Sequence, residues 1–347
     1  MKTTFISTAS LWNSPRTNLD KMQSDLIKAN KELVTGRDTD VGLRLGYRTG
    51  ETISLRQERA ELDTLIDSNA AVKVRLDSSS SSLQRIRETA DHFMNTLIST
   101  PLAERNMAVV VYQAGANLDG LIAGLNKSTN GQYIFGGINT KEKPIGEYSG
   151  TSPAKIAIDN AFFTEFGFFQ NDPAAALIEP AAMNTFLDGA FKNLFRGADW
   201  DNNWSSASSR NIQSLISPAD KISTSVNANE QAIQDIAMAY AMALDLGVAG
   251  LKETTREALI SRVVSTLAGA STGVADLEAT LGMAKERLES ANDRMDIQKS
   301  IFDEKLGKLE GVDPGEAKIR IDQLSTQIQL SFSLTAQLRN LSLINHL

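Results

Sequence analysis

Two stretches of this chain hold apolar residues at alternating steps of three and four over distances that no compact core requires. The first runs through Leu62, Leu65, Asn69, Val72, Leu76, Ser79, Leu83, Ile86, Ala90, Phe93 and Leu97. The second runs through Val263, Leu267, Ala270, Val274, Leu277, Leu281, Ala284, Leu288, Ala291, Met295, Gln298 and Phe302, then Lys305 and Leu309. Such spacing marks one edge of a helix that winds against another helix, since a 3.5-residue repeat keeps the same seam facing its partner. The neighbours of the first stripe, Arg75, Asp77, Arg85, Arg87 and Glu88, are polar. The stripe is therefore narrower than the face of a helix lying on a globule. At about 1.5 Å per residue the first stretch alone is a rod of roughly 50 Å. Gly269, Gly273 and Gly282 each cost the second up to about 1 kcal/mol, so the helix is expected to be continuous, with 269–273 as the place where it would kink or fray.

Shorter helices flank these rods. Ser14-Pro15 reads as a cap and a first-turn Pro ahead of the stripe Leu19, Met22, Leu26, Ala29 and Leu33, which closes at Thr35-Gly36. Thr100-Pro101 reads as the start of a helix carrying Met107, Val111, Ala114, Leu118, Leu121 and Leu125, ended by Asn130-Gly131. Ala228 to Leu244 is a further helical candidate. Asp313-Pro314-Gly315-Glu316 has the pattern of a capping box, after which Ile321, Leu324, Ile328, Phe332, Thr335 and Leu338 line one side and Leu341, Leu343, Ile344 and Leu347 crowd the end. The stripes at the two ends are too narrow and too terminal to close a core within one chain. Leu19, Met22, Leu26, Leu33, Leu324, Ile328, Phe332, Leu338 and Leu341 are therefore predicted to be buried by neighbouring subunits.

Between residues 141 and 226 the heptads vanish. Ile156-Ala157-Ile158 and Ile222-Ser223-Thr224-Ser225-Val226 alternate like strands, while Met183, Phe186, Leu187, Ala190, Phe191, Leu194 and Phe195 recur at helical spacing after Pro180. The fold class read from this is mainly α: elongated coiled-coil rods from the two halves, with a mixed α/β domain inserted between them. Three domains are expected, 1–40 with 313–347, 41–140 with 227–312, and 141–226.

Chemistry is hard to find. Cysteine is absent, which excludes disulfides and thiolate ligands, and the two histidines, His92 and His346, have no evident partners for a triad or a metal site. No catalytic residue, cofactor or metal is predicted. The net charge of −7 and the lack of a Lys/Arg run argue against nucleic acid. The longest near-apolar run, Ile236 to Leu244, is too short to span a bilayer, and Met1 to Thr8 lacks the apolar core of a cleavable signal. Asp38-Thr39-Asp40-Val41-Gly42 resembles a calcium loop only superficially and reads as a turn. Trp200 and Trp204 around Asp201-Asn202-Asn203 could suggest a sugar site, though two packed indoles explain them better. The seam polar residues Asn69, Ser79 and Gln298 either fix register or sit in a wet seam.

A chain with amphipathic helices at both ends, heptad rods inside them and an insert in the middle resembles the bacterial flagellin superfamily. Leu33-Val34-Thr35-Gly36-Arg37, with Asp40 and Gly42, is similar to the turn that closes the family's first helix, although the usual double Asp and Pro are reduced here to Asp38 and Asp40. Asn130-Gly131-Gln132 followed by Tyr133, Ile134, Phe135, Gly136 and Gly137 resembles a segment that separates the hook-associated protein 3 branch from filament flagellins. Its physical sense would be a helix end followed by a short aromatic strand. Asn340-Leu341-Ser342-Leu343 is similar to that branch's carboxyl end, and Ala336-Gln337-Leu338-Arg339 lacks the Pro that filament flagellins tend to carry there.

The resemblance implies a structural protein of the flagellum and not an enzyme, a coiled-coil subunit at the hook–filament junction that seeds flagellin assembly for motility. It would be secreted by type III export through an uncleaved, disordered amino-terminal signal and would reside in the extracellular flagellum. The implied partners are the hook-side junction protein (hook-associated protein 1), flagellin, copies of itself and an export chaperone, with no nucleic acid and no membrane insertion. A filament flagellin is the alternative within the class. A type III secreted, translocator-like coiled-coil protein is the alternative outside it.

Overall fold

In a computed structural model of the chain, the backbone is described at residues 8–100 and 106–344 and side chains at 16–100 and 106–337. Pro101, His346, the start of the chain and the side chains of Leu338, Leu341 and Leu343 lie outside the described residues. The protein is mainly helical. Contacts divide it into two compact units, one formed by the two ends up to Asp63 and from Met295, the other running Thr64–Arg294. These limits fall inside the long helices, away from the loops near residues 40 and 313 that bound the terminal region expected from sequence.

In the larger unit, helices α3 (Thr49–Ser99) and α9 (Glu253–Glu310) run antiparallel. Their partners show this: Asn69 meets Asn292 at 2.7 Å, Lys73 meets Glu289 at 2.6 Å, Asp77 meets Lys285 at 2.6 Å and Arg87 meets Glu278 at 3.1 Å. Leu76, Leu83, Phe93 and Leu97 are buried on one helix, and Val263, Leu267, Val274 and Leu288 on the other, as the heptads require. The flanking ion pairs hold the carboxyl of Glu289 below its ordinary range and lift the Lys285 ammonium above its own. Being exposed, they select register more than they add stability. α9 runs without interruption through 269–273, as its seam leads one to expect. Gly273 is there for contact: a Cβ on it would stand 2.8 Å from Ala232 Cβ.

Ala232 belongs to α8 (Gln231–Asp245), whose residues from Ile236 to Ala243 are all buried. Apolar residues all round a helix require burial on every side. α8 packs on α4 (Met107–Leu125). Asn106 caps α4, its side chain accepting from the Ala108 N–H, so the described helix begins beyond Thr100-Pro101. α4 and a stretch of α9 have the length and mean hydropathy of a membrane span. In α4, however, Met107, Val110, Ala114, Leu118 and Leu125 are turned into the core of this unit.

The segment 141–226 holds α5 (Pro153–Phe166), α6 (Pro180–Phe186) continued by a π-turn at 187–191, and α7 (Gly197–Asn203). A hairpin of β3 (Gln213–Ser217) and β4 (Asp220–Ser223) completes it. Ile156-Ala157-Ile158 is helical, correcting the strand reading. Ser152 and Pro153 start a helix there, the Ser152 hydroxyl accepting from Lys155 N–H, and only Ile158 of the two isoleucines is buried. Rings form a chain from Phe162 through Phe186, Phe191 and Phe195 to Trp204, which stacks on Trp200 at 5.5 Å. Both indoles are buried, so they offer no face to a sugar. These rings share one hydrophobic cluster with the long helices.

Candidate assembly surface

In the smaller unit, α1 (Thr8–Thr35) lies against α10 (Pro314–Ile344). Their junction is knitted by backbone. Gly36, at φ +66°, leaves α1 in the left-handed conformation that glycine tolerates, as its position in the sequence predicted. Asp38 N–H donates to Glu310 O at 2.8 Å and Val312 N–H to Gly36 O at 3.1 Å. Asp313 caps α10, its carboxylate accepting from Gly315 N–H at 2.7 Å, while Glu316 pairs with Arg320 at 3.5 Å. Arg320 also reaches the buried Glu32 of α1 at 3.3 Å, which sets the two helices antiparallel. Ser14-Pro15 does not start α1; the helix begins at Thr8 and Pro15 lies inside it.

The side chains of the Asp38–Gly42 turn are engaged with backbone. Asp38 accepts from Asp40 N–H at 2.9 Å, and Asp40 caps α2 (Val41–Leu45) by accepting from Leu43 N–H at 3.1 Å. Arg44 then reaches Gly311 O at 2.9 Å. Among the described residues no cluster of three or more acids or histidines is placed to hold a metal.

Of the residues expected at an assembly interface, Leu19, Met22, Leu26 and Leu33 on α1 and Leu324 and Ile328 on α10 are half-buried, whereas Phe332 is 53% exposed. Among the described side chains of the two helices, Ala29, Glu32 and Ala317 are buried. Sequence reasoning missed the other faces: Ile27 and Val34 on α1, and Ile319, Leu330 and Leu334 on α10, are all exposed. Tyr47 and Leu43, beside the turn, are exposed as well. The signal was available, because α10 carries apolar residues on several sides where a helix on a core would carry them on one.

The same unit corrects the seam of α9. Gln298 and Lys305 are exposed; the buried residues are Met295, Phe302, Leu306 and Leu309. A straight helix drifts off a strict seven-residue repeat, so the step from Met295 to Leu306 follows an eleven-residue period. Antiparallel pairing with α3 continues through Lys299–Asp63 at 2.6 Å and Asp303–Arg59 at 2.7 Å. Asn69 and Ser79, by contrast, are buried in the larger unit. Asn69 donates to Asn292 and to Ile216 O at 2.8 Å, an arrangement that specifies register; Ser79 Oγ has no hydrogen-bond partner.

The segment Tyr133–Gly137 is a knot of backbone bonds in the larger unit. Asn130 and Gly131, both at positive φ, turn a two-residue hairpin between β1 (Ser128–Thr129) and β2 (Gln132–Tyr133). They do not end the preceding helix, which stops at Leu125 with Asn126 as its cap. Ile134 and Phe135 are buried; Phe135 O accepts from Ala228 N–H at 2.9 Å and Gly136 O from Ser208 N–H at 3.0 Å. A Cβ on Gly136 would lie 2.7 Å from Asn139 O, and one on Gly137, at φ +59°, would overlap Ser208 O. Space requires glycine at both positions, and at Gly137 the backbone angle does so as well.

These arrangements agree with what the chain is similar to. Residues 6–140 match the bacterial flagellin N-terminal helical region, and residues 264–347 match the bacterial flagellin C-terminal helical region. No curated protein matches the chain. A solved structure from Vibrio parahaemolyticus, provisionally described as a flagellar hook-associated protein, aligns over 78% of this chain and 98% of its own at 11% identity and a TM-score of 0.44. At that score the likeness adds nothing to the two family matches, which together take in both long helices and both ends: the chain belongs to the bacterial flagellin superfamily.

Proposed function

We propose that this chain is the subunit of the hook–filament junction, of the hook-associated protein 3 type, and that it serves as a structural element with no catalytic role. The observation that carries an assembly role is the terminal helix pair: among the described residues α1 and α10 bury only Ala29, Glu32 and Ala317 and leave Ile27, Val34, Leu330, Phe332 and Leu334 in water. Apolar surface of that kind is covered by partners. The terminal region 1–40 with 313–347 is the assembly module in this reading. Junction rather than filament is supported by the resemblance of Asn130–Gly137 and of the carboxyl end to the hook-associated branch.

The partners are then copies of itself, the hook-side junction protein, the first flagellin subunits and, before export, a chaperone that covers the same apolar helix. Contacts between copies related by rotation and rise are heterologous and close into a ring when the rotation does. The test is a deletion of this chain in its own flagellated host. Cells that keep hooks, shed flagellin monomers into the medium and recover motility on complementation support the junction role. Loss of the filament with no shed flagellin points to the filament subunit, and unchanged motility overturns both.

A further inference from the structure

Between α3, α4 and α8 of the larger unit lies a cavity of about 400 Å³, within the size range of small-molecule sites. Its floor is Ile86, Leu121 and the side chains of Ser82 and Tyr240, both about 1% exposed. The hydroxyls of Ser82 and Tyr240 have no hydrogen-bond partner. Two unpartnered hydroxyls in one apolar pocket are costly to bury, at about 1–3 kcal/mol each, unless something enters and bonds them. The mouth is formed by Arg85, Thr89, Gly120 and Lys127. Among the described residues neither Arg85 nor Lys127 makes an ion pair, although Lys73 and Arg87 on α3 and Lys285 on α9 all do. No acid lines the cavity. Gly120 lies at the mouth with open space around it: a Cβ there would meet nothing within 4 Å, so a larger side chain has room to enter the opening.

From this combination we infer that the cavity is a binding site for a small amphipathic carboxylate, its apolar body on Ile86 and Leu121 and its charge between Arg85 and Lys127. The buried hydroxyls of Ser82 and Tyr240 bond either a carboxylate oxygen or a polar substituent on the body. A bound ligand would brace α3, α4 and α8 against one another, a role separate from the assembly surface.

Calorimetric titration of the full chain with 4-phenylbutyrate and with octanoate tests this. One saturable site is expected for at least one of the two, with the neutral 4-phenylbutyramide binding at least tenfold more weakly than 4-phenylbutyrate. Arg85→Glu combined with Lys127→Glu is expected to weaken carboxylate binding at least tenfold, and Gly120→Leu, which fills the mouth, to abolish it. Leu is a better helix former than Gly; if that variant nevertheless fails to fold, the charge-reversal variant decides, because neither of its side chains is buried. Absence of saturable binding by both carboxylates, equal binding of the amide, or binding unchanged by charge reversal would overturn the proposal and leave the two hydroxyls to water.

Discussion

Helices α8 and α10 are both rich in apolar residues on more than one side, and they meet opposite fates. α8 is enclosed by its own chain, with Ile233, Ile236, Tyr240 and Met242 all removed from water. α10 has one close partner, α1, and leaves Ile319, Leu330, Phe332 and Leu334 exposed. The difference teaches where the molecule spends its hydrophobic free energy. Burial in the larger unit stabilises the subunit itself, whereas the terminal pair leaves apolar area in water, which in the assembly role proposed above other subunits would cover at roughly 25 cal/mol per Å².

That contrast can be broken from either side. The largest loss of subunit stability is expected from Gly137→Val, which forces a branched side chain into a left-handed backbone and onto Ser208 O. A cost of at least about 3 kcal/mol should appear in thermal unfolding of the isolated chain. If Gly137→Val melts with the wild type, the backbone knot around Tyr133–Gly137 is not needed to hold the larger unit. Ile236→Ala, inside α8, should cost about 2–5 kcal/mol by leaving a cavity among fully buried neighbours. A smaller value would mean that the helix is less enclosed than its burial indicates.

A smaller, pH-dependent effect is expected at Asp245, whose carboxylate accepts from Tyr148 OH and lies 3.5 Å from Lys155 Nζ. Burial raises its pKa against the lowering influence of those two partners. The folded chain therefore holds that proton more tightly than the unfolded one. The penalty of burying the charge is present above the folded pKa and is relieved as pH falls through it towards the unfolded value of about 3.9. Asp245→Asn, which keeps an acceptor for Tyr148, should melt higher than the wild type at pH 7, and the gap should narrow by pH 4. A gap that widens in acid would contradict the sign. Smallest for the subunit, within about 0.5 kcal/mol, is Leu330→Ala with Leu334→Ala on α10; yet this pair should lower the yield of motile, filament-bearing cells. Normal filaments would remove α10's outer face from the assembly surface.

Much of the helical frame was legible because its cause is local. Heptads, Gly36 and Asp313-Pro314 mark helices and their ends through side-chain spacing and backbone angle, which depend on neighbours within a turn or two. The misreadings share another cause. Ile156-Ala157-Ile158 alternates like a strand over three residues, but Ser152-Pro153 upstream starts a helix that overrides so short a pattern. Asn130-Gly131 suits a helix end and a hairpin turn equally, and only the pairing of Ser128 with Tyr133 chooses between them. Gln298 fell on the extrapolated seam because a strict heptad ignores the drift that brings Leu306 inward.

The sequence by itself determined that this chain makes long helices with narrow apolar seams and that apolar stripes continue into both of its ends, because periodicity and composition are properties of the string. Tertiary structure decided which contacts make those helices specific: Gly273 against Ala232, Asn69 between Asn292 and Ile216 O, and Gly136 and Gly137 beneath backbone from residues far along the chain. Such requirements arise from distances between segments remote in sequence, so no local pattern could have carried them. The same holds for which face of α10 stays in water, since that depends on where α1 stops covering it.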